Sequence, residues 1–196
     1  LFRSGCTSLT SVTIGNGVTS IGNSAFYKCS GLTSIIVDEG NTKYHSAGNC
    51  LIETTTKTLI LGCNTSVIPA DGTVTSIGSS AFRNCSSLTS VVIPDSVTSI
   101  GDSAFQGCTR LTSITIPDGV TSIGSYAFSG CTGLTSVTIG DSVTSIGNSA
   151  FYKCSGLKTV FYAGTEEQWK AISIGSANSA LTSAAIVYNY DGAEQT

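Results

Sequence analysis

The sequence has little charge, a single histidine and no long hydrophobic run. Charged residues make up 11% of its 196 residues, whereas a typical soluble domain has about 25%. Its 9 lysines and arginines form no basic patch that could hold a phosphate backbone, so we do not expect a nucleic acid partner. The apolar runs last only a few residues, far fewer than the roughly 20 that a membrane span requires.

The start of the chain carries no recognisable secretory signal peptide at Leu1. Phe2 and Cys6 already belong to the second half of the repeat described below. We therefore interpret the chain as a segment of a longer protein, in which case the missing signal does not bear on localisation. Residues 191–196 are interpreted as the start of a linker.

What the sequence does contain is one unit written several times. The copy from Leu111 to Gly133 has alternating apolar and Ser/Thr residues, then Pro-Asp-Gly, Val-Thr-Ser-Ile-Gly, Ala-Phe and Cys. A fixed period of this length predicts a solenoid, in which each unit forms one coil. The units begin at Leu9, Leu32, Leu88, Leu111, Leu134 and Leu157, and the last four follow each other at intervals of 23 residues.

Each unit starts with a predicted strand. Ile114 and Ile116 alternate with Ser113 and Thr115, which is the pattern of a strand with one buried face. Pro-Asp-Gly then turns the chain, and the Ala-Phe-x-x-Cys stretch is short enough to be a single helical or 3₁₀ turn. The corresponding apolar pairs, which should line one continuous core, are Val12/Ile14, Ile35/Val37, Val91/Ile93, Val137/Ile139 and Val160/Tyr162.

The unit Leu-x-x-Val/Ile-x-Ile-Pro-Asp-x-Val-Thr-Ser-Ile-Gly-x-x-Ala-Phe-x-x-Cys resembles the BspA-like bacterial leucine-rich repeat over nearly the whole chain. The resemblance implies a β-rich, right-handed leucine-rich repeat solenoid with a parallel concave sheet and short 3₁₀ or helical turns. It also implies a secreted or cell-surface bacterial protein, since some members are implicated in adhesion to host or matrix proteins. The family offers no catalytic motif to transfer.

One stretch breaks the period and another ends it. Cys50–Glu53 and Thr58–Leu61 are predicted to form a hairpin inserted into the solenoid. Thr165-Glu166-Glu167-Gln168 is a capping box that should begin a helix covering the last coil with Trp169. We therefore predict a leucine-rich repeat domain over 1–190, made of first repeats (1–37), an irregular repeat with the hairpin (38–73), regular repeats (74–160) and a C-terminal cap (161–190).

The chain has eight cysteines, six of which occupy the same position of the repeat. Their side chains should form a parallel row with a spacing of about 4.8 Å, which suits neither disulfide geometry nor the converging ligands of a zinc site. We predict reduced, buried thiols, with no metal and no cofactor. A disulfide between Cys50 and Cys63, which flank the hairpin, remains open. The row consists of Cys6, Cys29, Cys85, Cys108, Cys131 and Cys154.

Catalysis is not expected. A Ser-His-Asp site would require His45, the only histidine, to meet a serine and an aspartate in a cleft. Glu39, Asp95, Asp118 and Asp141 hold matching positions and could gather cations, but Pro-Asp-Gly/Ser is first of all a turn.

Two function classes remain. The first is a non-catalytic, extracellular or cell-surface interaction or adhesion module, expected to be a monomer, that binds a protein or glycan such as one of a host or its matrix. The second is a structural spacer that displays other domains and has no ligand. Ice binding by the Thr/Ser rows is a distant third, because Ser alternates with Thr. With so little charge, binding should depend only weakly on salt. The binding candidates are Ile36, Val92, Thr115, Thr138 and Phe161 on the concave face, with Tyr44 and His45 on the insertion.

Overall fold

The computed structural model describes residues 5–22, 25–26 and 28–192. Phe2 and residues 193–196 of the expected linker lie outside this part. The chain winds into a parallel β-solenoid of about eight turns. In chain order the elements are β1 (Ser11–Ile14), β2 (Ser34–Val37), β3 (Tyr44–Ala47), β4 (Cys50–Glu53), β5 (Thr58–Leu61), β6 (Ser76–Ile77), β7 (Ser99–Ile100), β8 (Ser113–Ile116), β9 (Ser122–Ile123), β10 (Ser136–Ile139), β11 (Ser145–Ile146), β12 (Thr159–Tyr162), α1 (Glu166–Ala171), β13 (Ser173–Ile174), α2 (Ser179–Thr182) and β14 (Ala185–Val187).

Two walls of the solenoid are parallel sheets. The four-residue strands that open the coils, together with the three-residue β14, form the front wall, as a two-stranded sheet β1-β2 and a four-stranded sheet β8-β10-β12-β14. The five short Ser-Ile strands join β3, β4 and β5 in an eight-stranded back sheet, in the order β3-β4-β5-β6-β7-β9-β11-β13. Pairing follows the repeat, so that Thr115, Thr138 and Phe161 lie in one column across the front sheet.

The irregular repeat contributes to the back sheet. The predicted hairpin is confirmed, because β4 and β5 pair antiparallel. A third strand, β3, pairs antiparallel with β4, and β5 pairs parallel with β6 of the next coil. The insertion therefore extends the back sheet, whereas the front wall is interrupted between β2 and β8.

The strand predicted at Val91 and Ile93 is absent, so that prediction was wrong. In later coils the first N–H after the strand donates to the preceding coil, as from Gly140 to the Ile116 carbonyl at 2.9 Å. The corresponding residue after β8 is Pro117, which has no N–H to give to Ile93. Although both segments are fully described, no backbone hydrogen bond joins 90–93 to β8. Pro94 likewise has no N–H to donate to the coil before it.

A column of stacked phenylalanines runs through the core of the regular coils. Phe82, Phe105, Phe128 and Phe151 are fully buried. Successive ring centroids lie 5.0, 5.3 and 5.1 Å apart, with nearly parallel planes. The column repeats at the spacing of the coils, so each coil covers the apolar face of the one before it.

The core is divided in two, contrary to the single continuous core expected from the sequence. Ile116 and Ile139 belong to the main cluster, while Ile14 packs in a separate N-terminal cluster. Strand β4 lies between them, because Ile52 joins the main cluster and its neighbour Leu51 joins the N-terminal one. Successive residues of a strand face opposite sides, so one strand can close both cores.

The Ala-Phe-x-x-Cys stretch forms turns of 3₁₀ type without a continuous helix. Ser129 N–H donates to the Tyr126 carbonyl three residues earlier at 3.0 Å. Tyr126 has a φ of 59°, which interrupts helical geometry. Phe105 N–H donates instead to the Ala127 carbonyl of the next coil at 2.7 Å. This third side is therefore also tied from coil to coil.

The predicted cap is confirmed. Gln168 N–H donates to Thr165 Oγ1 at 3.3 Å, and Thr165 N–H donates to Gln168 Oε1 at 2.8 Å. The helix places the buried Trp169 edge-on against Tyr162, with ring centroids 5.2 Å apart. This contact covers the end of the main core.

Replacing Phe105 with alanine should lower the free energy of unfolding by about 3–5 kcal/mol, because the buried ring is stacked between two others. Chemical denaturation followed by circular dichroism measures the change. Tyr152→Ala, which truncates a 44% exposed ring, is the control and should cost less than about 1 kcal/mol. Equal losses for the two variants would contradict the role given to the phenylalanine column.

Candidate binding groove

The outer face of the front wall carries an open groove of about 620 Å³, called the sheet groove below. Its floor is the column of Val92, Thr115 and Thr138, which lie one coil apart. Asp95 and Asp118, from the turns after the strand positions, form one side. Tyr190 closes one end.

Val92 is the most exposed of the large hydrophobic side chains in the described part of the chain, at 80%. It points outward between the partly buried Val91 and the buried Ile93. At the equivalent position of other coils, Thr13, Thr115 and Thr138 present a hydroxyl, whereas Ile36 and Phe161 are apolar like Val92. An exposed apolar side chain inside a groove is the kind of feature that marks contact surfaces.

The closed end of the groove is an aromatic pair. The rings of Tyr190 and Phe161 lie 4.6 Å apart between centroids. Tyr190 N–H donates to the Tyr162 carbonyl at 3.0 Å, and Asn189 N–H donates to the Gly164 carbonyl at 2.9 Å. These bonds hold the segment after β14 across the sheet, so Phe161 supports the ring that lines the groove.

The charge of the groove has one sign. Asp95, Asp118 and Asp191 line it, and the lining contains no lysine, arginine or histidine. Asp95 and Asp118 hold equivalent positions in adjacent coils. Asp141 holds the next position of this column. Burial raises the pKa of Tyr162, and the nearby Asp141 carboxylate raises it further.

The other sequence-predicted candidates lie outside the sheet groove. Ile36 is half-exposed, but on β2 of the separate two-stranded sheet. Tyr44 is buried in the N-terminal cluster, so its ring is not available to a ligand. His45 is half-buried, and its Nδ1 lies 2.9 Å from Thr54 Oγ1.

The structure thus brings together Val92, Thr115 and Thr138, with Phe161 behind the end wall. Sequence reasoning missed Tyr190 as a groove residue, because it assigned this residue to the C-terminal cap (161–190). It treated Asp95 and Asp118 as turn residues, although their matching position after Pro94 and Pro117 was a usable signal.

No metal site is indicated. Among the residues that the structure describes, no group of three or more histidine, cysteine, aspartate or glutamate side chains is placed to hold an ion.

The cysteine row is free of disulfides, and its regular members hydrogen-bond to backbone. The thiols of Cys108, Cys131 and Cys154 are buried, and each donates to the carbonyl of a phenylalanine in the preceding coil, at 3.2, 3.2 and 3.1 Å. The expectation of burial was wrong for Cys6, which is exposed, and for Cys29, which is partly exposed.

Cys50 and Cys63 are both buried and unbridged. Ser66 Oγ lies 3.5 Å from Cys63 Sγ and donates to the Asn49 carbonyl at 2.5 Å. Burial raises the pKa of Cys50 to about 11, and the neighbouring Cys63 adds to the effect.

Labelling of the native protein with a thiol reagent at about pH 8 should modify the exposed Cys6 fastest and the six buried cysteines slowly. Cys29 should react at an intermediate rate, because partial burial raises the pKa of its thiol. The reactive form is the thiolate, and burial raises the pKa of Cys131 and Cys154 to about 12, so at pH 8 these thiols stay protonated. Mass spectrometry counts the modified sites, with the denatured protein as the eight-site reference. Rapid native labelling of Cys131 would contradict the buried row.

The fold and groove define a class: a solenoid repeat protein with an open surface on its sheet. The sequence matches the BspA type leucine rich repeat region in six copies, over residues 1–61 and 53–173. The chain therefore belongs to the BspA-type leucine-rich repeat family, as its repeat predicted. No curated protein matches it.

Solved bacterial leucine-rich repeat proteins share the fold. A leucine rich cell surface protein from Faecalibacterium prausnitzii is 36% identical, with a TM-score of 0.60 over 84% of this chain and 51% of that one. The leucine-rich repeat protein of T. pallidum is 30% identical, with a TM-score of 0.52 over 69% of this chain and 62% of that one.

The pneumococcal vaccine antigen PcpA is 16% identical, with a TM-score of 0.62 over 93% of this chain and 55% of its own length, and shows a shared fold alone. The chain spans 51% and 62% of the lengths of the Faecalibacterium protein and a Eubacterium ventriosum leucine-rich repeat protein. None of the helices in the described residues has the length and apolar character needed to cross a bilayer.

Proposed function

We propose that this chain is a non-catalytic interaction module of a bacterial surface or secreted protein, and that it binds a partner protein in the sheet groove. The observation that carries the proposal is the 80% exposed Val92 on the floor of a groove that ends in an aromatic ring. Membership of a leucine-rich repeat family and likeness to a cell surface protein support the location.

The groove has the components of a small binding surface. Val92 and Tyr190 offer apolar contact at either end of the column, and Thr115 and Thr138 lie between them. Energetically important contacts in interfaces concentrate in a few aromatic and apolar anchors surrounded by weaker polar contacts. Tyr190 is held by its backbone bond to β12 and by Phe161, so little side-chain freedom is lost on binding.

The chemistry of the groove supports a non-catalytic role. Its lining contains no histidine, lysine or cysteine, so it offers no nucleophile-base pair of the usual kind. His45, the only histidine, lies against the Thr54 hydroxyl, whereas a catalytic triad would require a carboxylate there.

Replacing Val92 with serine should weaken binding of a partner about tenfold or more, because the floor loses its apolar contact. The partner is found by screening immobilised matrix proteins, mucin glycans and peptidoglycan fragments by surface plasmon resonance. Val67→Ser is the matched control, since Val67 is 71% exposed but is not part of the groove lining. The control should bind as the parent chain does.

Equal loss of binding in the two variants would place the contact elsewhere and refute the groove. The spacer alternative predicts that no ligand in the screen binds at all. A repeat of the screen with Ile36→Ser tests whether the contact extends to the two-stranded sheet.

A further inference from the structure

We propose that the sheet groove is selective for a basic polypeptide segment, one that presents lysine or arginine beside an apolar side chain. This inference rests on the proposed function and adds the chemistry of the partner. It follows from the charge of the groove, from carboxylates that accept no hydrogen bond within the described part of the chain, and from the placement of the apolar residues.

Charge gives the sign of the partner. Three carboxylates line the groove, no basic side chain does, and the whole chain has a net charge of −3. Asp95 and Asp118 lie on the same side of the groove in adjacent coils, so a cationic group placed there is attracted by both carboxylates. An acidic segment, by contrast, would meet like charge along the whole side of the groove.

The hydrogen bonds show that Asp95 and Asp118 do not serve the fold in the way that other aspartates do. Asp102 accepts the Ser125 N–H at 2.7 Å, and Asp71 accepts the Thr73 N–H at 3.0 Å. Among the described residues, no side-chain hydrogen bond is found to the Asp95 or the Asp118 carboxylate, and both residues are exposed. Their carboxylates therefore remain available to a ligand.

The groups that a basic segment brings match those on the acidic side of the groove. Lysine and arginine side chains carry several N–H donors and no acceptor. The carboxylate oxygens of Asp95 and Asp118 accept hydrogen bonds, so a donor-rich basic segment complements them.

The apolar groups fit the rest of such a segment. The aliphatic stem of a lysine or arginine packs on apolar surface while its charged head stays at the rim, and Val92 offers that surface on the floor of the groove, in the same coil as Asp95. A cationic group also binds favourably over a tyrosine ring, which Tyr190 presents at the closed end. The hydroxyls of a neutral glycan can donate hydrogen bonds to the carboxylates, but a glycan does not neutralise their charge.

This placement changes the expectation about salt. A chain with few charges was expected to bind with weak salt dependence, but the structure gathers three carboxylates in one groove. Attraction between exposed charges is largely screened at high ionic strength. Binding should therefore weaken as salt is raised.

The test uses three fluorescent nonapeptides that share valine and serine positions and differ only in carrying three lysines, three glutamines or three glutamates. Fluorescence anisotropy should show the lysine peptide binding about tenfold more tightly than the glutamine peptide at about 20 mM salt. The difference should shrink several-fold at about 500 mM salt. The glutamate peptide should not bind.

Variants locate the effect. Asp118→Asn should weaken binding of the lysine peptide about fivefold. Glu39→Gln, which changes the net charge equally at an exposed position outside the groove lining, should have little effect. Matching thermal melts confirm that both variants are folded.

The inference is overturned if the lysine and glutamine peptides bind equally or not at all, or if the two variants behave alike. Binding of a neutral chito-oligosaccharide that Asp118→Asn leaves unchanged would likewise overturn it and indicate a glycan surface. If a matrix protein depends on Val92 but not on Asp118, the proposed function stands and only the basic specificity fails.

Discussion

The structure depends on one hydrogen bond repeated from coil to coil. An N–H donates to a carbonyl in the neighbouring coil, as Gly124 does to Ile100 and Gly147 does to Ile123, each at 2.8 Å. The side chains follow the same rule, since Thr121 Oγ1 donates to the Thr98 carbonyl and Thr144 Oγ1 to the Thr121 carbonyl, at 3.4 and 3.2 Å. The surface hydroxyls therefore bond to backbone carbonyls of the neighbouring coil. Few charged side chains are needed to satisfy the polar groups at the surface.

The same bond explains where the regular pattern stops. Proline at 94 and 117 removes the donor that follows the first strand position of the coil, and the four-stranded sheet of the front wall begins only at β8. The segment left unpaired carries Val92 and borders the groove. The loss of strand pairing at this segment and the candidate groove beside it therefore both follow from Pro94 and Pro117.

Most of the fold could be predicted, because its signals are local or periodic. The hairpin β4-β5 and the capping box at Thr165 were found from short motifs, and the family from the repeat. Strand β3 was missed because Tyr44 to Ala47 is not an apolar run, and its pairing depends on β4. The strand at Val91 was wrongly predicted because the prediction used only the alternation of apolar and polar residues. It did not consider that Pro117 in the next coil has no N–H to donate to this segment.

The candidate site was less predictable for a physical reason. Exposed columns such as Thr115 and Thr138 follow from the repeat, and so does the apolar exception at Val92. Tyr190 reaches the groove only through the path of the chain after β14, which no local pattern specifies. Tyr44 was taken as a contact residue, but the insertion closes a second core that buries it.

That second core limits how far cooperativity extends along the molecule. In a stacked array each coil is stabilised by its nearest neighbours, so stability passes along the interfaces between them. The phenylalanine stack begins at Phe82, and β4 separates the coils that carry it from the cluster around Ile14. The N-terminal coils can therefore open as a separate unit while the coils that form the groove keep their shape.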